Sequence, residues 1–134
     1  MIYSIGEFAE ILGVTPSTLR YYEQEGLLTP RRNKNNLREF TDYDIGWAQF
    51  LLHLKGSGMS VTELKKYTKW RSMGVETIPD RLDLLKKRKH LVELEMQALQ
   101  QNLDILNRKI EFYNDQLEGK KYEFVLYPNE EADS

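Results

Sequence analysis

A heptad repeat in the C-terminal half of the chain is the feature that most constrains its fold. The repeat advances in alternating steps of three and four residues, and every position but one is apolar or aromatic. Its members are Leu82, Leu85, Lys89, Val92, Met96, Leu99, Leu103, Leu106, Ile110, Tyr113 and Leu117. A stripe this narrow is typical of a coiled coil, in which each helix covers the stripe of another. The repeat predicts one long helix over 80–118 that needs a second long helix.

The first half of the chain offers no second helix of that length, so we expect the coiled coil to form between two copies of the chain. All members of the repeat except Lys89 are then dimerisation residues. Basic residues concentrate in 81–89 and acidic residues in 111–118. An antiparallel pair places each basic end beside an acidic end, which favours this orientation. The sequence therefore predicts an antiparallel homodimer.

The N-terminal residues carry the start and stop signals of two short helices. Ser4 and Glu7 have the spacing of a capping box at the start of the first helix. Thr15 as N-cap and Pro16 at the first helical position begin the second helix, and Gly26 follows it. Two short helices joined by a tight turn that contains glycine are typical of a helix-turn-helix.

Residues 31–41 predict a β-hairpin wing, because asparagine residues, which favour turns, lie between two short segments that run from polar to apolar residues. Leu37 and Phe40 are expected to pack on one side of this wing. Together with the helices, the wing predicts a mainly α chain whose head is a winged helix-turn-helix.

Two further helices complete the predicted head. Asp42 is expected to cap the third helix, and Ser60 and Glu63 repeat the capping-box spacing at the start of the fourth. The predicted domains are a DNA-binding head over 1–71, a linker over 72–79, a coiled-coil dimerisation helix over 80–118 and a C-terminal tail over 119–134.

Charge is distributed unevenly along the chain. The net charge is only −2, but residues 20–38 contain five basic residues and two acidic residues. Only charges close to the phosphates release counterions, so a protein with a locally basic surface can still bind DNA. The charge pattern therefore permits a nucleic-acid partner.

Several other classes of protein are excluded by what the sequence lacks. The chain has no cysteine and only two histidines, which argues against disulfides and against a metal site. It has no export signal and no apolar run long enough to span a membrane, so we expect a cytoplasmic protein. No set of nucleophile, base and acid and no glycine-rich phosphate loop is found, so we expect neither an enzyme nor a cofactor.

Four short motifs occur in order before the heptad repeat: Thr-Leu-Arg-Tyr-Tyr-Glu at 18–23, Gly-Leu-Leu-Thr-Pro at 26–30, Arg-Glu-Phe at 38–40 and Gly-Met-Ser at 58–60. Together they resemble the MerR family of bacterial transcription regulators over residues 1–118. The resemblance implies a homodimer that places its two heads in successive major grooves of promoter DNA. It also implies that the dimer distorts the promoter and so acts on RNA polymerase. The wing departs from the family pattern at Asn36, Leu37 and Phe40.

The motifs and the positions of polar residues predict which side chains contact DNA. They are Ser17, Thr18, Arg20, Tyr21 and Tyr22 on the second helix, Arg31, Lys34 and Arg38 on the wing, and Ser60 at the start of the fourth helix. Adjacent residues of a helix point in different directions, so one tyrosine packs in the core, and the motif favours Tyr21 for DNA. The alternative for each residue is a solvated or capping role.

Two further segments, Trp47-Ala-Gln-Phe50 and Glu76-Thr-Ile-Pro79-Asp-Arg81, resemble the branch of the family that responds to aldehydes and other electrophiles through a cysteine. His53 occupies the position of that cysteine, and a neutral imidazole cannot replace a thiolate, so thiol sensing is excluded. An effector pocket is one interpretation of the aromatic residues, and a hydrophobic junction core is the simpler one. The residues concerned are Tyr43, Trp47, Phe50, His53, Tyr67 and Trp70.

The leading hypothesis for function is thus a dimeric regulator that binds promoter DNA, associated with the nucleoid. The alternative is a DNA-anchoring or nucleoid-organising protein that uses the same head, with the coil and the tail as a tether for another protein. A pure interaction scaffold without DNA affinity is a third hypothesis.

Overall fold

The computed structural model describes residues 1–119 and shows the predicted mainly α fold in them. Its elements are β1 Ile2–Tyr3, α1 Ile5–Leu12, α2 Pro16–Gln24, β2 Arg31–Arg32, β3 Arg38–Thr41, α3 Asp42–Gly56, α4 Val61–Met73 and α5 Ile78–Leu117. A 3₁₀ turn over Val75–Thr77 separates α4 from α5. Most of the predicted tail, 120–134, lies outside the described residues.

Contacts within the chain group it into two compact units. The first, Met1–Val92, is called the head unit below, and the second begins at Glu93. Helix α5 is 40 residues long, which corresponds to about 60 Å at 1.5 Å per residue. Its first turns belong to the head unit, and the residues from Glu93 to Leu117 are called the distal part of α5. The division of the chain into functional domains stays a prediction.

The capping predictions for α1, α2 and α4 are confirmed. At α1 the Ser4 hydroxyl accepts from the Glu7 N–H at 3.2 Å, and the Glu7 carboxylate accepts from the Ser4 N–H at 2.9 Å. The same reciprocal pair forms between Ser60 and Glu63 at α4. Thr15 caps α2, with proline at its first position. These caps satisfy N–H groups that the helix cannot pair internally, which is why the local signals are reliable.

The cap predicted for α3 is wrong. Thr41 is the N-cap: its hydroxyl accepts from the Asp44 N–H at 3.3 Å, and Asp44 accepts from the Thr41 N–H at 2.8 Å. Thr41 ends strand β3 with extended backbone angles, as an N-cap requires. Asp42 instead accepts from the Tyr3 hydroxyl at 2.7 Å and from the N-terminal amine at 3.1 Å.

The predicted wing is present, and a third strand joins it. Strands β2 and β3 pair antiparallel, and β1 pairs with the other edge of β3. Phe40 is buried and stacks on Phe8 of α1, with 4.1 Å between ring centroids. The prediction that Leu37 packs beside Phe40 is wrong, because Leu37 is 61% exposed. Leu37 precedes β3, and residues three apart on an extended chain point to opposite faces.

The hydrophobic core lies within the head unit and draws on its helices and on β3. Its fully buried large side chains are Phe8, Leu19, Leu27, Phe40, Leu51, Met59 and Leu64. Leu84 and Leu85 of α5 pack against this core as partly buried residues. Leu85, which the heptad repeat assigns to dimerisation, therefore also contributes to the head unit.

The segment expected to be a linker holds the end of α4, the 3₁₀ turn and the start of α5. The Thr77 hydroxyl is buried and donates to the carbonyls of Trp70 and Gly74. Arg81 of α5 donates to the Gly74 carbonyl at 2.8 Å and, through Nε, to the Thr77 hydroxyl at 3.2 Å. These bonds tie the end of α4 to the first turn of α5.

Candidate nucleic-acid interface

Helix α2 has one exposed polar face and one buried face. Ser17, Arg20 and Tyr21 are exposed, and they lie on one side because residues three and four apart in a helix are neighbours. Leu19 and Tyr22 are buried in the core on the other side. The amphipathic pattern of α2 therefore presents the predicted contact residues outward.

The two adjacent tyrosines differ in exposure. Tyr22 is 5% exposed, and burial raises the pKa of its hydroxyl, whereas Tyr21 is 44% exposed. Their ring centroids lie 6.2 Å apart. The structure therefore places Tyr22 in the core, which leaves Tyr21 as the tyrosine that DNA can reach.

The first turn of α2 carries a set of bonded hydroxyl groups. The hydroxyl oxygens of Thr15 and Thr18 lie 3.0 Å apart, and Arg20 donates to the Ser17 hydroxyl at 3.3 Å. Thr18 is half-buried and Ser17 is exposed. Helix N-termini favour anions because of their free N–H groups and the helix dipole, so this turn suits a phosphate.

Glu23 fastens the wing to α2. Arg38 Nε donates to one oxygen of its carboxylate at 2.5 Å, and Arg32 donates to the other at 3.2 Å. The Glu23 and Arg38 side chains are about a quarter exposed. Arg38, predicted to bind phosphate, thus holds the wing against α2. Sequence reasoning also missed Arg32, since nothing in the local pattern indicates its distant partner.

Arg31 and Lys34 are exposed cations of the wing. Within residues 1–119 neither makes an ion pair, in contrast to Arg32 and Arg38. Lys34 lies in the wing turn, which the Asn33 carboxamide organises by accepting from the N–H groups of Asn35 at 2.8 Å and Leu37 at 3.1 Å. The wing therefore presents Arg31 on strand β2 and Lys34 on an ordered turn.

Helix α4 contributes one expected residue and one that was missed. Ser60 acts in the capping box of α4, which accounts for its hydroxyl without DNA. Lys65 bonds to Glu25 at the end of α2 at 2.8 Å, and this bond raises the pKa of the Lys65 amine, with a smaller contribution from Tyr21. Lys65 could be seen in the sequence only as one of several lysines of α4. Its position beside α2 depends on the tertiary fold.

The six residues assigned to an effector pocket lie on α3 and α4. Tyr43 and Trp47 line a cleft of about 370 Å³ between the end of α2, the start of α3 and α4. Phe50 and Tyr67 pack beside Trp47, with ring centroids 5.7–6.4 Å apart. Trp70 is half-buried and His53 is exposed on α3. The effector pocket stays a prediction, and packing accounts for most of these rings.

Arg71 closes one side of this cleft. Its guanidinium carbon lies 4.0 Å from the centre of the Trp47 ring and 5.5 Å from that of Tyr43, and it donates to the Tyr43 hydroxyl. Trp47 in turn donates to the Leu27 carbonyl at 2.9 Å. These contacts fix the start of α3 against α4 and the end of α2.

Residues 1–119 contain neither a cluster of metal ligands nor a membrane-spanning helix. No group of three or more His, Asp or Glu side chains in that range is arranged to hold a metal ion. No helix there is both long enough and apolar enough to cross a bilayer.

Comparison with known proteins agrees with this geometry. Residues 3–69 match the model of the MerR HTH family of regulatory proteins. An HTH-type transcriptional regulator of Haemophilus influenzae is 36% identical over 114 residues, which cover 84% of each chain. The chain belongs to the MerR family. The regulator AdhR of Bacillus subtilis is 34% identical over 92 residues, which cover 67% of this chain and 66% of AdhR.

Solved structures of MerR proteins share the fold. HiNmlR, a MerR family regulator that lacks the sensor domain and is bound to promoter DNA, superposes with a TM-score of 0.80 at 34% identity, over 90% of this chain and 92% of its own. A Listeria monocytogenes protein described as a MerR family regulator gives a TM-score of 0.81 at 32% identity, over 87% of this chain and 89% of its own.

Proposed function

We propose that this MerR protein binds promoter DNA as a homodimer and regulates transcription from that promoter. The observation that carries the proposal is the exposed polar face of α2, set beside a wing that Glu23 fastens to the same helix. The promoter complex of the similar regulator HiNmlR supports it. A regulator of this kind acts at the nucleoid, in the cytoplasm.

Each part of the interface has a distinct role in this proposal. Arg20 and Tyr21 lie in the major groove, where a long guanidinium reaches base edges and a phenol reaches a phosphate. Ser17 and Thr18 contact the backbone from the helix N-terminus. The wing cations, Arg31 and Lys34, bind flanking phosphates, which positions the head without reading sequence.

The heptad repeat forms an apolar stripe along α5, which is called the seam below, and this seam supports the homodimer. In the distal part of α5, Met96 is 64% exposed and Leu99 is 67% exposed, and a coiled coil would cover both. Two heads joined in this way span two half-sites on one face of the duplex. Distortion of the DNA between the half-sites then sets its geometry for RNA polymerase.

Substitution of Arg20 tests the interface. Binding to DNA from the promoter region of the protein's own gene is measured by fluorescence anisotropy at fixed salt. Arg20→Ala is expected to weaken binding by ~1–3 kcal/mol, because a major-groove contact is lost. Lys86→Ala, which removes an equal charge from the exposed surface of α5, is the matched control and should bind almost as tightly as wild type. Equal binding by all three proteins would contradict the proposed interface.

Single cysteines test the orientation of the dimer, since the chain has no cysteine of its own. An antiparallel seam that opposes Leu82 to Leu117 places only Leu99 opposite its own copy, whereas a parallel seam places every position opposite its copy. Leu99→Cys should therefore form an intermolecular disulfide under mild oxidation, and Leu106→Cys should not. Efficient crosslinking of both variants would indicate a parallel pair, and crosslinking of neither would argue against this seam.

No observation favours the DNA-anchoring alternative. The tether that it requires would use the tail, most of which lies outside the described residues. The scaffold hypothesis requires the absence of DNA affinity, which the anisotropy experiment measures directly.

A further inference from the structure

Arg88 differs from the basic residues around it. The sequence Lys-Lys-Arg-Lys at 86–89 favours a salt-bridge face of the coiled coil, and the structure leaves Lys86 and Lys89 exposed. The Arg88 side chain, in contrast, is only 14% exposed and donates to the Glu63 carboxylate of α4 at 3.2 Å. This ion pair joins the first turns of α5 to α4 within the head unit.

Glu63 serves two elements at once. The carboxylate oxygen that accepts from Arg88 also closes the capping box of α4, since it accepts from the Ser60 N–H at 3.2 Å. The Glu63 side chain is about a quarter exposed. The start of α4 and the first turns of α5 therefore share one acceptor.

Gly58 leaves the space that Arg88 occupies. A Cβ on Gly58 would lie 3.1 Å from a terminal nitrogen of Arg88, and the φ of Gly58 is +98°, which side chains other than glycine rarely adopt. Leu84 and Leu85 pack against the head core one turn earlier on α5. The first turns of α5 are thus held by apolar packing at one turn and by a fitted guanidinium at the next.

The ion pair is poorly suited to a purely stabilising role. Desolvation of two charges offsets most of their attraction, so partly buried pairs add little net stability. Arg88 Nε is also buried, and within residues 1–119 it has no hydrogen-bond partner. The best-attested use of such a pair is to select one arrangement among several, because the directional bond forms only in that arrangement.

We propose that Arg88 is a positioning residue for DNA recognition: its bond to Glu63 sets the direction of the first turns of α5 against α4 and thereby the half-site spacing that the dimer accepts. The inference rests on the proposed function, since spacing has meaning only for a dimer with two DNA-binding heads. A change in the direction of a long helix at its base shifts the DNA-binding residues of the attached head. Loss of the bond should therefore affect the preference for one half-site spacing more strongly than the stability of the fold.

The test measures binding to a series of duplexes. The wild-type dimer first selects its inverted repeat from a random library, and the spacer between the half-sites is then shortened or lengthened by one or two base pairs. Wild type, Arg88→Gln and the matched charge control Lys86→Gln are compared on this series, and circular dichroism and sedimentation check the fold and the dimer. Wild type and Lys86→Gln are expected to prefer one spacing by about tenfold or more, and Arg88→Gln to bind the spacings within about threefold of one another.

The outcomes separate the two proposals. Wild type that does not bind, or shows no spacing preference, contradicts the dimeric DNA-binding function itself. A wild-type preference that Arg88→Gln retains, or that Lys86→Gln loses equally, overturns the role of Arg88 and leaves the function intact. If Arg88→Gln does not fold, Glu63→Gln replaces it, since glutamine preserves the capping box while weakening the ion pair. That variant should relax the spacing preference, and a wild-type profile would refute the inference.

Discussion

The head unit buries its large apolar core residues, whereas the distal part of α5 leaves most of its apolar residues exposed. In the head unit, Phe8, Leu51 and Leu64 are completely buried by residues of their own chain. In the distal part of α5, Leu106 and Ile110 are each more than half exposed, although the sequence there is as regular as any in the chain. Phe112 is buried and lies outside the heptad seam.

This contrast separates two kinds of stability. The head unit buries a core within one chain, so its folding should not depend on protein concentration. A single helix has no core, and its apolar stripe gains stability only when another helix covers it. The stability of the distal part should therefore depend on concentration, as it does for any dimer.

The largest expected effect comes from the head core. Phe8→Ala removes a fully buried ring and its stacking on Phe40, and we expect it to lower the free energy of unfolding by about 3–5 kcal/mol. Urea denaturation, followed by the unfolding of the head unit, should show the same decrease in the free energy of unfolding at different protein concentrations. Ile11→Ala, at a position 46% exposed on the same helix, is the control and should cost much less. A loss that varied strongly with concentration would break the contrast between the two regions.

A charged residue introduced into the seam should have the second-largest effect, and this effect should fall on dimerisation and not on the folding of the head unit. Leu103→Lys places an ammonium group where the partner helix would pack, and we expect dimerisation to weaken by ~100-fold or more, because an unpaired charge would be desolvated. Sedimentation equilibrium measures the dissociation constant, and the chemical shifts of head residues report whether the head remains folded. Gln101→Lys adds the same charge outside the seam and should leave the dimer intact. Unfolding of the head by Leu103→Lys would show that the two regions are not independent.

The smallest effect is a dependence of head stability on pH. The Ser4 N–H lowers the pKa of Glu7, and the Ser60 N–H, with a lesser contribution from Arg88, lowers that of Glu63. Because these pKa values are lower in the folded state, their stabilisation is present above the ordinary value of about 4.5 and is lost as the pH falls through the folded values. Glu7→Gln keeps the capping bonds but cannot titrate, so its stability should fall less steeply from pH 5 to 3 in urea titrations. An equally steep fall would rule out the Glu7 cap as a cause.

Predictions that depended on neighbouring residues were the reliable ones. The capping boxes of α1 and α4 and the Thr15–Pro16 start of α2 were confirmed, because both partners of each bond lie within one turn of the chain. The error at the start of α3 arose where the strand before the helix decided the outcome. Thr41 caps α3 because β3 brings it there in an extended conformation, and strand β1 exists only through its pairing with β3.

The candidate site shows the same division. The sequence predicted the polar face of α2, since its residues follow the helical period. It did not predict that Glu23 pairs with Arg32 and Arg38, because those residues lie nine and fifteen positions away on the wing. It also placed Arg88 with its neighbours on a salt-bridge face of the coiled coil, whereas the observed partner, Glu63, lies 25 positions away on α4.

The amino-acid sequence alone determined the helices, the caps of α1, α2 and α4, the polar face of α2 and the heptad seam, because each follows from short-range spacing along the chain. Only the tertiary structure decided which arginines pair with Glu23 or Glu63. Charge is visible in a sequence, but its partner is chosen by the packing of elements far apart in the chain. The division between residues free to bind phosphate and residues that hold the fold could therefore be seen only after the chain was folded.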